Sequence, residues 1–414
     1  MSLRRILFVT HASCLDRRSG GAVYSCNVIE FLAGQDVTLG LLVLRPNASD
    51  PALFRIPWKL ERLTVLGHLK LGNWIVRRSL ADLAHHLVNP FSSRWAARLH
   101  DVVARITRVS KPGARPFWNS PLSVDERALL QHEVMSFEPD YIFFNHYFIA
   151  DYRPSPSART LVGILTHEIF FDRQQALATS NRVLELPGYD EATERRILSA
   201  ADHLLAINTR DATILKDNFP AACVDIVLPS LRPAPLPLPP SLDQLLFIGG
   251  DAEHNVDALA WLLDHLWPAI LLQRPSTRLV LCGSICRRVT EVPPGVIVRG
   301  VVADLRDVYA ECSLSLVPIR IGSGLKTRII ESFAFGRPVV TTPVGLQGLD
   351  FVGAAALCAS DSDDFVRQTL ALLSAPDRLR TMSEAALRII EEHFSPEATL
   401  RGLRSSPLFI CPSA

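Results

Sequence analysis

Residues 318–331 read Pro-Ile-Arg-Ile-Gly-Ser-Gly-Leu-Lys-Thr-Arg-Ile-Ile-Glu, and this stretch decides the fold of the second half of the chain. It follows an apolar run, Leu314 to Val317, that is typical of a buried strand, and its glycines predict a tight turn. A helix entered at about Gly324 is expected to follow the turn. The apolar face of that helix consists of Leu325, Ile329, Ile330 and Phe333.

Strand, turn and helix start together predict a site for an anion. The first amides of a helix lack partners inside the helix, and the helix dipole adds positive potential there. Gly322 and Gly324 let a ligand approach the backbone closely, and Arg320 and Lys326 flank the turn with positive charge. A diphosphate fits such a site. Glu331, further along the same helix, is a candidate acceptor for sugar hydroxyls.

A purely structural turn is the alternative interpretation of this stretch. Lys326 is then a solvated residue of the first helical turn, and Glu331 pairs with Arg328 at i,i+3. The chain contains no G-x-x-x-x-G-K-[ST] motif, which argues against a Walker-type ATP site.

Composition indicates a globular protein of two or three domains. The chain has 414 residues, of which 48% are hydrophobic and 21% charged, and its net charge of +1 gives no field that would select nucleic acid. None of its eight cysteines forms a C-x-x-C pair, which predicts reduced, buried thiols and a cytoplasmic location. The apolar run at residues 6–10 is too short for a signal peptide and predicts a first buried strand. No stretch is long enough to predict a transmembrane helix.

The first strand leads into a β-turn-α-β pattern, which predicts a parallel sheet with right-handed crossovers. The turn contains Gly20 and Gly21, a helical segment runs on to Gly34, and a second strand covers Val37 to Leu44. Gly20 and Gly21 are expected at the carboxyl edge of the sheet, either as ligand contacts or as a structural turn. The turn is not G-x-G-x-x-G, and no acidic residue ends the second strand, so an NAD site is disfavoured.

Residues 59–115 differ from the rest because they carry eleven basic residues against three acidic ones. Trp58, Trp74 and Trp95 lie at or near stretches that we interpret as helical. Such a basic region predicts either peripheral contact with an anionic membrane face or reception of a phosphorylated acceptor. A solvated helical insertion is the alternative.

Polar residues follow three further apolar strands of the first half. They are Asn145-His146, His167-Glu168 and Asn208-Thr209. Because the carboxyl ends of parallel strands share one edge of a sheet, these residues are expected to cluster there. His167 is the best candidate for an acid, base or orienting group, since imidazole both donates and accepts protons near neutral pH. A structural role for His167 is the alternative.

Six prolines in residues 229–240 predict a stiff connector between two units. Strands after it are expected at 245–248, 278–281, 296–298, 314–317, 339–342 and 355–357, with helices between them. We therefore predict an α/β protein with two doubly wound, Rossmann-like domains facing each other across a cleft. Its parts are a domain at 1–228, a linker at 229–241, a domain at 242–394, and a tail at 395–414 that crosses back to the first domain.

The second half resembles the family 4 (group 1) glycosyltransferases, which have the GT-B fold. The resemblance covers residues 245–395, whereas the first half matches only in the order of its features. It is carried by Leu246-Phe247-Ile248-Gly249-Gly250, Leu281-Cys282-Gly283, Arg299-Gly300-Val301-Val302, Gly322-Ser323-Gly324-Leu325-Lys326 with Glu331, and Phe335-Gly336-Arg337-Pro338.

The resemblance implies retaining transfer of a sugar from a nucleotide diphosphate sugar to a hydroxyl acceptor, with no metal and no cofactor. It implies that Arg320 and Lys326 stabilise the departing diphosphate and that Glu331 binds the ribose. His167 is then expected beside the transferred sugar. Donor contacts are further expected from Gly249, Gly283, Val302, Gly322, Ser323, Gly324 and Leu325, and acceptor-side contacts from Gly20, Gly21 and Glu168.

Two departures from the family pattern stand in the sequence. Ser323 occupies the position eight residues before Glu331 where the family commonly has a glutamate, so this is a Gly-Ser-Gly-Leu-Lys variant. Asp251, Glu253 and His254 follow Gly249-Gly250, where the family commonly has an arginine and a lysine. A non-catalytic binding subunit and a nucleotide-sugar epimerase of the same fold therefore remain alternatives. The sugar, the base, the acceptor and the oligomeric state stay open.

Overall fold

The computed structural model describes residues 4–11, 20–45, 53–77, 121–152, 160–178, 190–322, 324–399 and 403. The helices are α1 Gly20–Ala33, α2 Val124–Phe137, α3 Phe170–Ala178, α4 Glu191–Leu198, α5 Thr209–Asn218, α6 Glu253–Trp261, α7 Trp267–Gln273, α8 Leu305–Glu311, α9 Thr327–Ala334, α10 Ser362–Leu373, α11 Pro376–Ile389 and α12 Pro396–Thr399. The strands of the first half are β1 Arg4–Thr10, β2 Val37–Val43, β3 Leu53–Arg55, β4 Arg62–Val65, β5 His68–Leu71, β6 Trp74–Arg77, β7 Tyr141–Asn145, β8 Leu161–Leu165, β9 His203–Ala206 and β10 Cys223–Ile226. The strands of the second half are β11 Gln244–Ile248, β12 Arg278–Cys282, β13 Val296–Gly300, β14 Leu314–Val317, β15 Val339–Thr341 and β16 Ala356–Cys358.

Two parallel sheets organise the chain. The first has seven strands in the order β10-β9-β8-β7-β1-β2-β4, and the second has six in the order β13-β12-β11-β14-β15-β16. In the first sheet, successive strands are added on one side of β1 and, from β7 onward, on its other side, so the strand order reverses between β1 and β7. In the second sheet the same reversal lies between β11 and β14. Ligands of open α/β sheets bind at such reversals, beyond the carboxyl ends of the strands. The predicted fold class is confirmed.

The strands are apolar because helices cover both faces of each sheet. β7 is buried throughout, and the residues Ile6 to Val9 of β1 are at most 1% exposed. Continuous apolar strands of this kind are typical of parallel sheets. The predicted strand at the start of the chain is confirmed.

The described part of the basic region is made of strands and not of helices. β4 pairs with β2, and β3, β6 and β5 form a small antiparallel sheet. In β4, Leu63 and Val65 are buried while Arg62 and Thr64 are only half-buried, which is the period of two that a strand face requires. The helical interpretation of residues 59–77 was therefore wrong. Residues 78–120 lie outside the described part of the chain.

The proline-rich segment is attached to both halves. Tyr24 Oη and Asn27 Nδ2, both on α1, donate to the carbonyls of Val227 and Ser230. At the other end, the fully buried Arg337 donates to the carbonyls of Leu236 and Pro237 at 3.0 and 2.8 Å. The segment therefore packs against the second half instead of spanning open solvent.

Smaller features match the sequence to different degrees. The six described cysteines are free thiols, but Cys223 and Cys358 are exposed, so the expectation of buried thiols holds only in part. Most of the predicted tail after residue 395 lies outside the described residues. Every helix in the described part of the chain is too short or too polar to span a membrane.

Candidate active site

The glycine turn after β14 is formed, and its helix begins later than predicted. Gly322 and Gly324 have φ angles of +106° and +74°, a region that residues with a Cβ rarely adopt. Because a residue in this conformation cannot continue a right-handed helix, α9 starts at Thr327, with Lys326 at its N-cap. Leu325 is buried as expected, and Ser323 lies outside the described residues.

This turn meets the end of β8 across the gap between the two sheets. A Cβ added to Gly324 would lie 3.6 Å from Glu168 Cβ and 3.6 Å from the His167 carbonyl oxygen. The structure thus brings together the two segments that the sequence picked out in separate halves of the chain. The positive φ of Gly324 favours a glycine at this position.

Lys326 is buried at this contact. Its side chain is only 9% exposed, and Nζ donates to the Gly324 carbonyl at 2.7 Å. Burial lowers the pKa of Lys326 to about 8, opposed by the attraction of Glu168 and Asp211. An ammonium group with so little water around it interacts strongly with any anion that enters the gap. The alternative of a solvated Lys326 does not match this placement.

His167 lies between the glycine turn and the start of α1. Its Nε2 lies 2.8 Å from Asn145 Oδ1, and Asn145 Nδ2 donates in turn to Thr10 Oγ1 at 2.9 Å. Since the amide nitrogen of Asn145 is used on Thr10, Nε2 of His167 carries the proton that Asn145 accepts. The other ring nitrogen, Nδ1, lies 3.6 Å from the position of a Cβ on Gly21.

Burial lowers the pKa of His167 to about 3, so the imidazole is neutral at physiological pH. A neutral imidazole that donates through Nε2 presents Nδ1 as an acceptor. Such a group suits a hydrogen bond from a sugar hydroxyl better than it suits proton donation. Gly21 thus lies beside His167, and Gly20 forms the first residue of α1.

Glu168 is engaged within its own half of the chain. Both carboxylate oxygens accept from Arg173 Nη1 at 2.9 Å. Next to this pair, Arg210 donates to both oxygens of Asp172 at 2.7 Å. Lys326 therefore faces two arginine–carboxylate pairs whose charges largely cancel.

Arg320 points in another direction than Lys326. It makes a two-pronged ion pair with Asp257 of α6 at 2.9 and 3.1 Å and lies over the Trp261 ring, 4.9 Å from its centroid. Its side chain is 44% exposed. The predicted pair of cations around the turn thus consists of one buried lysine and one exposed, ion-paired arginine.

Glu331 makes the pairing that the structural alternative described. Its carboxylate accepts from Arg328 Nη1 at 2.5 Å and from Tyr309 Oη at 3.3 Å. The side chain keeps 20% of its surface exposed, so one edge of the carboxylate is accessible. The i,i+3 pair and a contact with sugar hydroxyls are compatible with each other.

Gly249 and Gly283 lie at adjacent strand ends of the second sheet. A Cβ on Gly283 would stand 2.2 Å from the Gly249 carbonyl oxygen, and Gly283 has a φ of +99°. Only glycine allows the two backbones to meet here. Val302 is half-buried shortly after β13, while its neighbour Val301 is 68% exposed.

Two residues of the site were missed as candidates. Asp211 on α5 is 2% exposed, and among the described residues its Oδ2 has no hydrogen-bond partner. Burial raises the pKa of Asp211 to about 6. His254, at the start of α6, lies 3.6 Å (Cβ) from the Cβ position of Gly322, and burial, then Lys326 and Arg173, lower its pKa to about 4.

A sequence signal existed for one of these two residues only. His254 follows the Gly249-Gly250 turn at the position where the arginine–lysine pattern is interrupted. Asp211 looks like an ordinary residue of a helix that Asn208 caps, since Asn208 Oδ1 accepts from the Asp211 amide at 2.7 Å. Its proximity to Lys326 arises from the packing of the two halves.

Comparison with known proteins finds a family match in the second half of the chain. Residues 243–375 match the family described as "Glycosyl transferases group 1". No curated protein sequence matches the chain. The family match therefore covers about a third of the chain, within its second half, and solved structures show that the chain has the GT-B fold.

Solved structures with the same fold cover nearly the whole chain. TarM is 9% identical and superposes with a TM-score of 0.62 over 96% of this chain and 97% of its own. Sucrose-phosphate synthase from Thermosynechococcus elongatus is 16% identical, with a TM-score of 0.62 over 96% of each chain. Alr3699/HepE from Anabaena, solved with UDP and glucose, is 12% identical, with a TM-score of 0.56 over 98% of this chain and 99% of its own.

Proposed function

We propose that this glycosyltransferase moves a sugar from a nucleotide diphosphate sugar to a hydroxyl acceptor, with retention of the anomeric configuration and without a metal ion. The observation that carries the proposal is the buried Lys326 beside the glycine turn, facing the His167-Glu168 segment across the gap between the sheets. A role in polysaccharide or glycoconjugate synthesis and a place on the cytoplasmic side of the cell fit this reaction.

The diphosphate occupies the glycine turn in this proposal. Lys326 and the amides at the start of α9 face the phosphate oxygens, where negative charge grows as the bond between the anomeric carbon and the diphosphate breaks. This positive potential does the electrostatic work that a metal ion does in other transferases. Glu331 accepts from the ribose, and the strand ends at Gly249, Gly283 and Val302 border the base.

The sugar then lies toward the first sheet. His167 Nδ1 accepts a hydrogen bond from a sugar hydroxyl, and the Gly20-Gly21 turn with Glu168 borders the acceptor. The acceptor oxygen forms the new bond to the anomeric carbon, and its proton leaves to the released nucleoside diphosphate or to solvent. Closure of the gap excludes water and so limits hydrolysis of the donor.

Support from the neighbours concerns the ligand class. Alr3699/HepE was solved with UDP and glucose, and a TarM variant of S. aureus was solved with UDP, Fondaparinux and alpha-GlcNAc-glycerol. These ligands are nucleotides and hydroxyl-bearing sugars. We propose the same two partner classes here, together with peripheral membrane contact through the basic residues 59–115 for an acceptor held at a membrane.

A panel of UDP-, GDP-, ADP- and dTDP-sugars tests the proposal. Thermal shift identifies the base, because a ligand that binds only the folded state raises the melting temperature. The matching donor is then incubated with hydroxyl acceptors and a chelator, and the anomeric configuration of the product is read by NMR. A retained anomer formed in the presence of chelator is the expected result. Binding without turnover, an inverted anomer, or a product with an epimerised donor sugar would each contradict the proposal.

A further inference from the structure

A row of polar side chains crosses four adjacent strands of the first sheet at the amino ends, on the far side from the glycine turn. Tyr141, His203 and Cys223 are the first residues of β7, β9 and β10. His203 pairs in register with Gly163 of β8 on one side and with Cys223 on the other. Residues paired in register point to the same face of a sheet, so these side chains are neighbours.

Gly163 creates the passage for this row. A Cβ at this position would lie 1.8 Å from Tyr141 Oη, so any other residue would displace the phenol. Tyr141 reaches across β8 and lies 2.8 Å (Oη) from His203 Nδ1. A tyrosine and a histidine that are both at most 1% exposed are thus held together in an otherwise apolar sheet face.

The other ring nitrogen of His203 lies near a carboxylate oxygen and a sulfur atom. His203 Nε2 lies 2.9 Å from Asp225 Oδ2, and the Cys223 sulfur completes a group in which all three atoms lie within 4.8 Å of one another. Cys223 and Asp225 are two apart on β10 and so share one face of the strand. The group opens to solvent, since Cys223 is exposed and the Asp225 side chain is 26% exposed.

We propose that His203, Cys223 and Asp225 form a binding site for a divalent zinc ion. Imidazole, thiolate and carboxylate are the three ligand types that zinc uses, at about 2.0–2.3 Å from the metal. The three atoms lie within 4.8 Å of one another, which is close enough for one tetrahedral ion to bind all of them and to keep its fourth position for water. The charges of one thiolate and one carboxylate balance those of Zn²⁺.

Tyr141 supplies the outer contact that a metal-bound histidine requires. When Nε2 binds the metal, the remaining proton sits on Nδ1 and is donated to the Tyr141 oxygen, which fixes the orientation of the ring. Arg4, Asp202 and Lys216 are the other charged groups near this row, the first two beside Tyr141 and the last beside Cys223. The Cys223 thiol loses its proton on binding, so each zinc ion releases about one proton.

The proposed zinc site lies on β10, the edge strand that precedes the proline-rich segment. β10 pairs only with β9 within the described sheet, and residues 227–230 follow it directly. Zinc would cross-link β9 to β10 and so stiffen the start of the connector between the two halves. The site is separate from the proposed reaction, because ligands of the transfer lie at the carboxyl ends of the strands.

Metal titration of the full-length, tag-free chain tests the site. Co²⁺ is expected to give a thiolate-to-cobalt charge-transfer band in the near ultraviolet, and Zn²⁺ is expected to displace it at one equivalent per chain. Cys223→Ser is expected to remove the charge-transfer band and the tight binding of one zinc ion per chain. Cys358→Ser is the control, because among the described cysteines Cys358 is the other exposed one, and it should leave both the band and the zinc binding unchanged. Tyr141→Phe is expected to weaken zinc binding by about 10- to 100-fold, the usual worth of an outer contact.

Several outcomes would overturn the proposal. A cobalt complex of the wild type that lacks the thiolate band shows that Cys223 is not a ligand. Circular dichroism checks that the Cys223→Ser and Asp225→Asn variants are folded. If a folded variant binds zinc as tightly as the wild type, the replaced side chain is not a ligand. Release of no proton on binding contradicts a thiol that becomes a thiolate. None of these readouts depends on transfer activity.

Discussion

The two sides of the glycine turn at Gly322 and Gly324 differ although the sequence presents them alike. On one side Lys326 is buried, faces Glu168 and Asp211 of the other half, and has its pKa lowered to about 8 by burial. On the other side Arg320 is 44% exposed and bound to Asp257. A cation in a poorly hydrated gap interacts with an incoming anion far more strongly than an exposed cation that already has a partner. We therefore expect Lys326 to contribute more than Arg320 to donor binding and to transfer.

Replacing Lys326 is expected to have the largest effect. Lys326→Met keeps the length of the side chain and removes the charge, and the turnover number should fall by about 10²- to 10³-fold, as for loss of one preorganised donor to a developing anion. The measurement is the rate of nucleoside diphosphate release with the donor found in the ligand panel. Folding should be preserved, because the buried charge is costly to keep.

The matched control for this variant is Lys216→Met. Lys216 is an exposed lysine of α5 outside the gap, and it should retain wild-type turnover. A Lys326→Met enzyme that turns over within a factor of two of the wild type would remove Lys326 from the reaction and would break the comparison with Arg320.

Replacing Arg320 is expected to have an intermediate effect. Arg320→Ala should lower kcat/KM by about tenfold, since an exposed, ion-paired group contributes less than a buried one. Asp257→Asn separates two explanations, because it releases Arg320 without removing it. If Arg320 leaves Asp257 to bind the diphosphate, Asp257→Asn should match or exceed the wild-type affinity for the nucleotide in calorimetry. Loss of activity in Arg320→Ala as severe as in Lys326→Met would show that the two sides are equivalent.

The pH dependence is the smallest effect and tests the cause of the asymmetry. Lys326 acts when protonated, so kcat/KM should fall as the pH rises through the lysine pKa of about 8, with half of the activity lost at that pH. Lys326→Arg should lack this alkaline limb between pH 7 and 9, because a guanidinium remains charged. His167, with a pKa of about 3, should add no limb between pH 5 and 7. An alkaline limb that persists in Lys326→Arg would assign it to another group.

The same shift has a consequence for stability. The folded pKa of Lys326 lies below its ordinary value of 10.5, so the unfolded chain binds more protons between pH 8 and that value. The contribution of Lys326 to the free energy of unfolding therefore increases as the pH rises through this window. The free energy of unfolding of the wild type, relative to that of Lys326→Met, should therefore increase as the pH rises through this window.

Comparison of the two halves shows what a sequence pattern can predict. All six strands of the second sheet lie within two residues of their predicted positions, because each is a short apolar run bounded by turn residues. Residues 59–77 were misread because isolated tryptophans and basic residues hid the alternation in β4, and three short strands leave little periodicity to detect.

For α9 the sequence predicted the buried face correctly but not the first residue of the helix. The apolar face of this helix was predicted correctly, and Ile329, Ile330 and Phe333 are all fully buried. The start was placed too early because a period of 3.6 residues does not reveal the φ of Gly324. Gly324 adopts a positive φ where it meets the His167-Glu168 segment, which lies about 160 residues away.

The sequence alone determined the two doubly wound sheets, the glycine turn, and the set of cationic and imidazole groups near the strand ends, because apolar periodicity and glycine placement are local properties. The tertiary structure alone decided that Lys326 is buried against Glu168 and Asp211, that Arg320 is bound to Asp257, and that His203, Cys223 and Asp225 converge. Burial and partner choice depend on which segments meet in space, and spacing along the chain does not encode the dielectric surroundings of a charge.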